Sequence, residues 1–407
     1  MGRIVLRVGL AVAAVFAALL GAVAWRNHTL GERLVEDVRR LSADWPRPVH
    51  RQPAGEGTFQ SCLGPLLDAA PDGGLLELPR PDAGAELIAG VRDGSLPVEA
   101  LGPERRAEVQ RLLPWVDGVL ACTRAPAHGD APGLGLFADW EHPRQKAGVL
   151  LVSATQRVVL LALREELARG DHHGALDRCA DLLALARDMA RDRGLIGSMM
   201  ASSMAKQAGP GCAAAVERVD DGARRRFLAE LAAVRVAWPT FTSTMEAERA
   251  EMQVMAFGRF LSVSQAARLT ENAQGLASFD WGEEVVGTGS RAVLWLSWST
   301  FLARHDRLAA SATSATRDAD LAAVDEEFDV LAWLLSQPSF LGWIGFAHRL
   351  DFSARCLDLI ESAARVALAE PPLPSVTQAV VDGGVTLSVP DFDGGVVAVR
   401  LAAPRPR

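Results

Sequence analysis

Residues 147–192 contain the pattern that decides the fold, and they read AGVLLVSATQRVVLLALREELARGDHHGALDRCADLLALARDMARD. Apolar residues recur at helical spacing in two segments, 147–169 and 174–192. Gly170 lies between them and is a typical residue for ending a helix, because glycine adopts the left-handed backbone conformation at no steric cost. Asp171 follows and favours a turn. The pattern therefore predicts two long helices joined by a short loop, an αα-hairpin.

The turn of this hairpin resembles a tetratricopeptide unit. Gly170, Asp171 and Ala175 match a GDxxxA turn, and the likeness covers about 35 residues, close to one repeat. The resemblance implies a relative of the helical-repeat proteins. The bulky aromatic residues and closing proline of that repeat are absent, and no second copy follows at the repeat period. Both a helical-repeat relative and a single hairpin fit these residues.

Far upstream of the hairpin, residues 8–25 read VGLAVAAVFAALLGAVAW and contain no charge. As a helix this run is about 27 Å long, close to the ~30 Å hydrocarbon core of a bilayer. Arg3 and Arg7 precede it. The run predicts a transmembrane helix that contacts the lipid bilayer through residues 8–25. The alternative interpretation is a secretory signal, with cleavage near Ala24 and secretion of the remainder.

Both interpretations place the rest of the chain outside the cytoplasm, because Arg3 and Arg7 favour a cytoplasmic N-terminus. We expect an inner-membrane anchor, with the body facing the periplasm or the cell exterior. A second uncharged stretch, residues 330–347, contains Pro338 near its middle. Proline breaks a helix, so we interpret this stretch as two buried helices rather than a second span.

The whole chain is predicted to be mostly α, with an N-terminal transmembrane helix and an irregular multi-helix array of αα-hairpins. Residues 30–42 have the apolar spacing of a short amphipathic helix that leaves the membrane. Ser243 and Glu246 fit a capping box at the start of a helix over 243–262. Near the C-terminus, residues 377–401 alternate β-branched residues around two Asp/Gly turns, which predicts a small β-meander. The predicted units are an anchor or signal segment (1–26), a helical extracytoplasmic body (27–370) and a short β-hairpin or meander with a tail (371–407).

Composition excludes one class of partner. The chain has no tyrosine, and Lys146 and Lys206 are its only lysines, so 40 of the 42 basic residues are arginine. This skew indicates a GC-rich, bacterial type of genome. We therefore give the arginine count no weight as a nucleic-acid signal. The net charge of −8 also argues against a nucleic-acid partner, because phosphate binding requires a positive field.

Five cysteines lie at wide spacings without a CxxC motif, so zinc-ribbon and thioredoxin-type sites are not expected. If the body is exported, one or two disulfides can form. Cys62 and Cys122 both lie beside loop segments, and they are the preferred pair. The alternative is that all five cysteines are small buried apolar residues. The five are Cys62, Cys122, Cys179, Cys212 and Cys356.

No local catalytic signature such as HExxH, GxSxG or a P-loop occurs in the sequence. The catalytic candidates are therefore side chains with suitable chemistry. Asp139, Glu141 and His142 lie in a long Gly/Pro-rich loop and offer two carboxylates and an imidazole. His348 and Asp351 are three apart on one predicted helix, where a hydrogen bond would orient the imidazole as a base. We predict no metal and no cofactor.

Two further groups have simpler interpretations. His172 and His173 lie together at the hairpin turn, and we interpret them as polar turn residues rather than metal ligands. Glu248 and Glu251 share one face of the predicted helix and are interpreted as part of a charged helix face, whereas Glu246 lies off that face and is assigned to the capping box. We expect a membrane-anchored extracytoplasmic helical protein that binds or scaffolds a protein partner at the cell envelope. The alternative is a hydrolase-like enzyme with a site between helices.

Overall fold

The computed structural model describes most of the chain and shows a mainly helical protein with a small antiparallel sheet at its C-terminal end. The described residues are 2–43, 57–72, 75–76, 83–129, 143–192, 194–257, 264–265, 268, 302–326, 342–381 and 384–402. The central part of the uncharged stretch 330–347 lies outside these residues.

The elements follow one another along the chain with short connections where both neighbours are described. The helices are α1 (Gly2–Ala43), α2 (Phe59–Asp68), α3 (Ala83–Asp93), a 3₁₀ turn (Val98–Leu101), α4 (Gly102–Cys122), α5 (Pro143–Arg169), α6 (His172–Asp192), α7 (Gly194–Arg218), α8 (Asp221–Val236), α9 (Phe241–Phe257), α10 (302–311), α11 (Arg317–Glu326) and α12 (Gly342–Ala367). The strands are β1 (Thr377–Val381), β2 (Gly384–Pro390) and β3 (Val396–Ala402).

Helices α5 and α6 form the predicted hairpin. Gly170 has a φ of +83°, the left-handed conformation expected of a residue that ends a helix. The Asp171 carboxylate accepts a hydrogen bond from the Gly174 N–H at 3.0 Å and so caps the start of α6. Residues 179–191 of α6 are almost completely buried, so α6 is a central helix of the core.

Helix α7 is longer than the sequence predicts. Pro210 and its neighbouring glycines suggest a break, yet one helix runs from Gly194 to Arg218. A Cβ at Gly211 would lie 2.0 Å from Cδ2 of Leu163, so glycine allows α7 to approach α5 closely. Helix α7 also packs along α6 and α12. This tertiary packing outweighs the loss of one backbone hydrogen bond at the proline.

Helix α1 also differs from the prediction. Residues 30–42 are not a separate short helix, because they continue the N-terminal apolar helix without interruption from Gly2 to Ala43. The helix therefore crosses the boundary that the sequence places between residues 26 and 27. The apolar segment and the first part of the body therefore form one continuous helix.

The start of α9 corrects the predicted capping box. Thr240 is the cap: the Ser243 N–H donates to Thr240 Oγ1 at 3.1 Å, and the Thr240 N–H donates to Ser243 Oγ at 2.9 Å. Ser243 thus lies three residues into the motif instead of at its beginning. The Glu246 side chain pairs instead with Arg40 of α1 at 3.0 Å.

The three strands form the predicted meander, with antiparallel order β1-β2-β3. Val380 pairs with Val385, and Leu387 pairs with Val399. Strands β2 and β3 pack against α7 and α12, whereas every residue of β1 is exposed. The turn before β3 is held by Lys206 of α7, whose ammonium group lies 2.5 Å from Asp391.

Two disulfides join helices of the body. Cys62–Cys122, the pair preferred from the sequence, links α2 to α4 with Cα atoms 5.5 Å apart. Cys179–Cys212 links α6 to α7 with Cα atoms 5.7 Å apart. Cys356 on α12 is a buried thiol, and burial raises its pKa to about 12. The second disulfide is a pairing that the sequence interpretation did not select.

Candidate functional site

The described side chains of residues 8–22 in the first half of α1 form an exposed apolar surface. Leu10 is 63% exposed, Phe16 62% and Trp25 72%. An exposed apolar surface of this size marks contact with a membrane or a partner. Within the described residues, one helix is long and apolar enough to cross a membrane, and it is this one; a signal sequence has the same properties. The remaining question is how this segment is connected to the body.

The second half of α1 docks on the body through a small apolar face. Leu34 and Val35 are 1% and 2% exposed. The same half of α1 contacts α9 through Asp37 and Arg40. Gly31 is one turn earlier on the same face. A Cβ at Gly31 would lie 2.7 Å from the side-chain amide of Gln265, so this glycine allows the close approach. We call this contact, formed by residues 28–40 with α9 and with Gln265 and Arg268, the junction.

Polar contacts surround the apolar centre of the junction. Arg40 of α1 pairs with Glu246 of α9, and Asp37 of α1 lies 3.7 Å from Arg249 of α9. Nearer the apolar segment, the Gln265 side-chain amide donates to the His28 carbonyl at 3.1 Å. The Glu32 carboxylate accepts from Gln265 at 3.0 Å and from Arg268 at 2.5 Å. Such partly exposed pairs each contribute little energy.

The junction sets the distance between the apolar segment and the body. Trp25 ends the uncharged run and Leu34 is the first fully buried apolar residue, so about 13 Å of helix separates them. This spacer is helical throughout. A bilayer that surrounds residues 8–25 would therefore hold the body directly above the membrane surface instead of on a flexible linker.

Of the predicted catalytic residues, His348 and Asp351 can be placed, and both bond to α11. The Asp318 carboxylate lies 3.1 Å from Nε2 of His348. The Asp351 carboxylate lies 2.8 Å from Arg317, and this hydrogen bond raises the pKa of the arginine. The His348 side chain is 40% exposed, so the histidine and its carboxylate lie on the surface between two helices. Asp139, Glu141 and His142 lie outside the described residues.

The histidine pair at the hairpin turn and the glutamates of α9 lie in different parts of the fold. His173 is exposed and lies 3.3 Å from the Asp220 carboxylate at the start of α8. Glu248 is 6% exposed and accepts the Leu195 N–H at 3.0 Å, so it caps α7 instead of lying on a solvated face. Gly194 begins α7 with a φ of +44°, and the group that caps this helix comes from a helix more than fifty residues away. Within the described ranges, no three His, Cys, Asp or Glu side chains converge to hold a metal ion.

His305 on α10 is a buried histidine that the fold keeps neutral. It is 2% exposed. Burial lowers its pKa to about 3, with help from the nearby positive charges of Arg249 and Arg304. Asp306, its sequence neighbour, pairs with Arg249 at 2.5 Å. A neutral buried imidazole is a packing group at neutral pH, and its protonation opposes folding.

This burial predicts a pH dependence of stability. The pKa of His305 is about 3 in the fold and about 6.5 in an unfolded chain, so below pH 6.5 the unfolded state binds more protons. Stability from this group is therefore complete above pH 6.5 and is lost as pH falls toward 3, by up to about 1.4 kcal/mol per pH unit. The free energy of unfolding, measured by urea titration at several pH values, should fall less steeply between pH 7 and pH 5 for His305→Gln than for the unchanged protein. His173→Gln, a change at an exposed histidine, should leave the slope unchanged; equal slopes for all three proteins would contradict the assignment.

Comparisons with protein-family models, with curated proteins and with solved structures found no match to this chain.

Proposed function

We propose that this protein is anchored in a membrane by α1 and that its helical body binds or organises a protein partner at the extracytoplasmic face of the cell envelope. The observation that carries the proposal is the continuity of α1. One helix contains an exposed apolar run of membrane length and, within about three turns of it, residues buried against the body. A helix that only served as a cleaved signal would not need its continuation to dock on α9.

The two disulfides support the extracytoplasmic side. Disulfides persist in oxidising compartments and are rare in the cytoplasm, where thiols are kept reduced. Four of the five cysteines are paired, and the pairs link α2 to α4 and α6 to α7. Arg3 and Arg7 before the apolar run favour the same orientation, with the N-terminus inside and the body outside.

A rigid tether suits a binding function. Restricting the body to a thin layer above the bilayer raises its effective concentration toward other envelope components without any new contact. Arrays of helical hairpins present grooves that accept peptides or helices. The proposal thus assigns α1 the role of positioning and the body the role of contact.

Crosslinking of the full-length protein in its own cells tests this function. We expect one recurrent protein partner from the envelope, and a lower yield of the same partner when the body (residues 27–407) is produced without the anchor. A fusion of residues 1–26 to an unrelated folded domain is the control and should not recover it. The proposal fails if the full-length protein and the control give the same crosslinked species.

The junction itself can be tested by one truncation of a side chain. Leu34→Ala truncates a fully buried apolar side chain of the docked half of α1, which should cost about 2–5 kcal/mol. Hydrogen–deuterium exchange of the full chain in detergent should then become faster in residues 28–40 and 241–250. Leu19→Ala, in the exposed apolar segment, is the matched control. Unchanged exchange in the Leu34 variant would show that α1 is not held at this junction.

A further inference from the structure

Strand β1 (Thr377–Val381) forms one edge of the C-terminal sheet, and all five of its residues are exposed. Its inner side pairs with β2 in continuous register from Thr377 to Val381. The backbone N–H and C=O groups of alternate residues in an edge strand point away from its neighbour. Within the part of the chain that the structure describes, β1 has one neighbouring strand, and its outer side forms no backbone hydrogen bond. The outer side of β1 can therefore pair with another strand.

Strand β1 also extends past the helices that cover the rest of the sheet. Val380 lies opposite Val385 of β2 on the body-facing side of the sheet. Val385 is 6% exposed, yet Val380 is 75% exposed. Gln378 lies opposite Leu387, which is fully buried, and Gln378 is exposed as well. Strand β1 thus presents an uncovered apolar side chain next to its open backbone groups.

The other edge of the sheet, formed by β3, is protected. Strand β3 packs on α7, and the Ala402 N–H at its end donates to the Glu217 carboxylate of α7 at 2.6 Å. Strand β3 also carries the exposed charge of Arg400, and a charge on an edge strand opposes pairing with another chain. Residues 377–381 contain no charge, no proline and no bulge, so β1 lacks these protective features.

We propose that β1 pairs with β1 of a second copy of this chain, as antiparallel strands related by a two-fold axis at Ala379. This arrangement places Thr377 opposite Val381 and Gln378 opposite Val380. The two Val380 side chains become diagonal neighbours on one face of the joined sheets. Three of the five residues are Thr or Val, which favour paired strands. Because the described sheet has one open edge, the assembly closes at two copies.

The pairing of identical strands keeps like charges apart. The chain has a net charge of −8, but β1 itself is uncharged, so no like charges lie directly opposite each other in the pair. The nearest positive charge is that of Arg400, which donates to the Val381 carbonyl at 3.3 Å. In the two-fold pair the two Val381 residues lie at opposite ends, about 14 Å apart along the strands, which exceeds the ~8 Å screening length at physiological salt.

The small size of this contact favours a partner that shares the membrane. Two strands of five residues bury far less than the ~1,200–2,000 Å² of a stable protein interface. A freely diffusing partner would therefore be held only weakly at this edge. Copies that are anchored in one bilayer by α1 occupy the same thin layer in the same orientation, which raises their effective concentration without a new contact. This step rests on the membrane anchorage proposed above, and it makes a second copy the best matched partner.

Disulfide crosslinking of the full chain in membranes of the cells that produce it tests the pairing. Ala379→Cys places a thiol at the two-fold axis, where the Cα atoms of opposed residues lie about 4.5–5.5 Å apart and a disulfide can form. We expect mild oxidation to give a covalent dimer that disappears on reduction. Ala229→Cys, at an exposed alanine of α8, is the matched control and should remain largely monomeric.

A second substitution tests the strand pairing itself. Val380→Lys, combined with Ala379→Cys, brings two lysines to diagonal positions and should lower the dimer yield at least about fivefold. This variant should fold, because the Val380 side chain is exposed. The pairing is overturned if Ala379→Cys gives no more dimer than Ala229→Cys, or if Val380→Lys leaves the yield unchanged. Recovery of the chain in the soluble fraction would contradict the anchorage instead, and the same comparison of the two cysteine variants would still decide the pairing.

Discussion

Deletion of residues 1–26 is expected to move the protein from the membrane fraction to the soluble fraction while the body stays folded. The deleted segment contributes eight Val, Leu and Phe side chains to the run 8–25. On a membrane-insertion scale these supply on the order of 4 kcal/mol, or about a thousandfold in partition. The described side chains of residues 8–22 are exposed, so their loss should not lower the stability of the body.

The matched control keeps the hydrophobic length and changes the sequence. Replacement of residues 8–25 by an equally long run of Leu and Ala should leave the protein in the membrane fraction, because the bilayer responds to length and hydrophobicity. The truncated chain retains residues 27–43, so the junction with α9 can still form. A truncated protein that remains in the membrane fraction would locate the membrane contact elsewhere in the chain.

Removal of the disulfides is expected to have the second large effect. The bond between Cys62 and Cys122 closes a loop of 60 residues, and the bond between Cys179 and Cys212 closes one of 33. Restricting loops of this size in the unfolded chain stabilises the fold by about 4 kcal/mol for each bond. Thermal unfolding should therefore occur at a markedly lower temperature when a reducing agent is present.

Alanine substitutions separate this effect from others of the reducing agent. The pair Cys179→Ala and Cys212→Ala should lower the unfolding temperature without reductant and should respond less when it is added. Cys356→Ala, a change at a buried thiol outside both bonds, should respond to reductant as the unchanged protein does. If reductant has no effect on the unchanged protein, the cysteines are not paired in solution.

Local patterns predicted the parts of the fold that depend on nearby residues. The α5–α6 hairpin follows from apolar spacing on both sides of Gly170, and the C-terminal meander follows from alternation around Asp/Gly turns. From local sequence alone, Pro210 would favour a break within helix α7. What overrides the proline is packing against α5, α6 and α12, which no local pattern contains.

The contacts of the candidate functional residues depend more strongly on residues that are distant in the sequence. Spacing suggested that His348 would bond to Asp351, but its carboxylate partner is Asp318, thirty residues earlier on another helix. The Cys179–Cys212 bond likewise joins residues from different helices. The junction is the intermediate case: residues 30–42 had the correct amphipathic spacing, but the partner surface on α9 could not be read from it.

The central claim is that α1 is a retained anchor with the body outside the cytoplasm. Its most direct test is membrane fractionation of the native cells, combined with the N-terminal mass of the protein and with labelling of the body by a reagent that cannot cross the membrane. The account predicts a membrane-bound protein that keeps residues 8–25 and is labelled from outside the cytoplasm. A soluble, unlabelled protein with Met1 intact would contradict it.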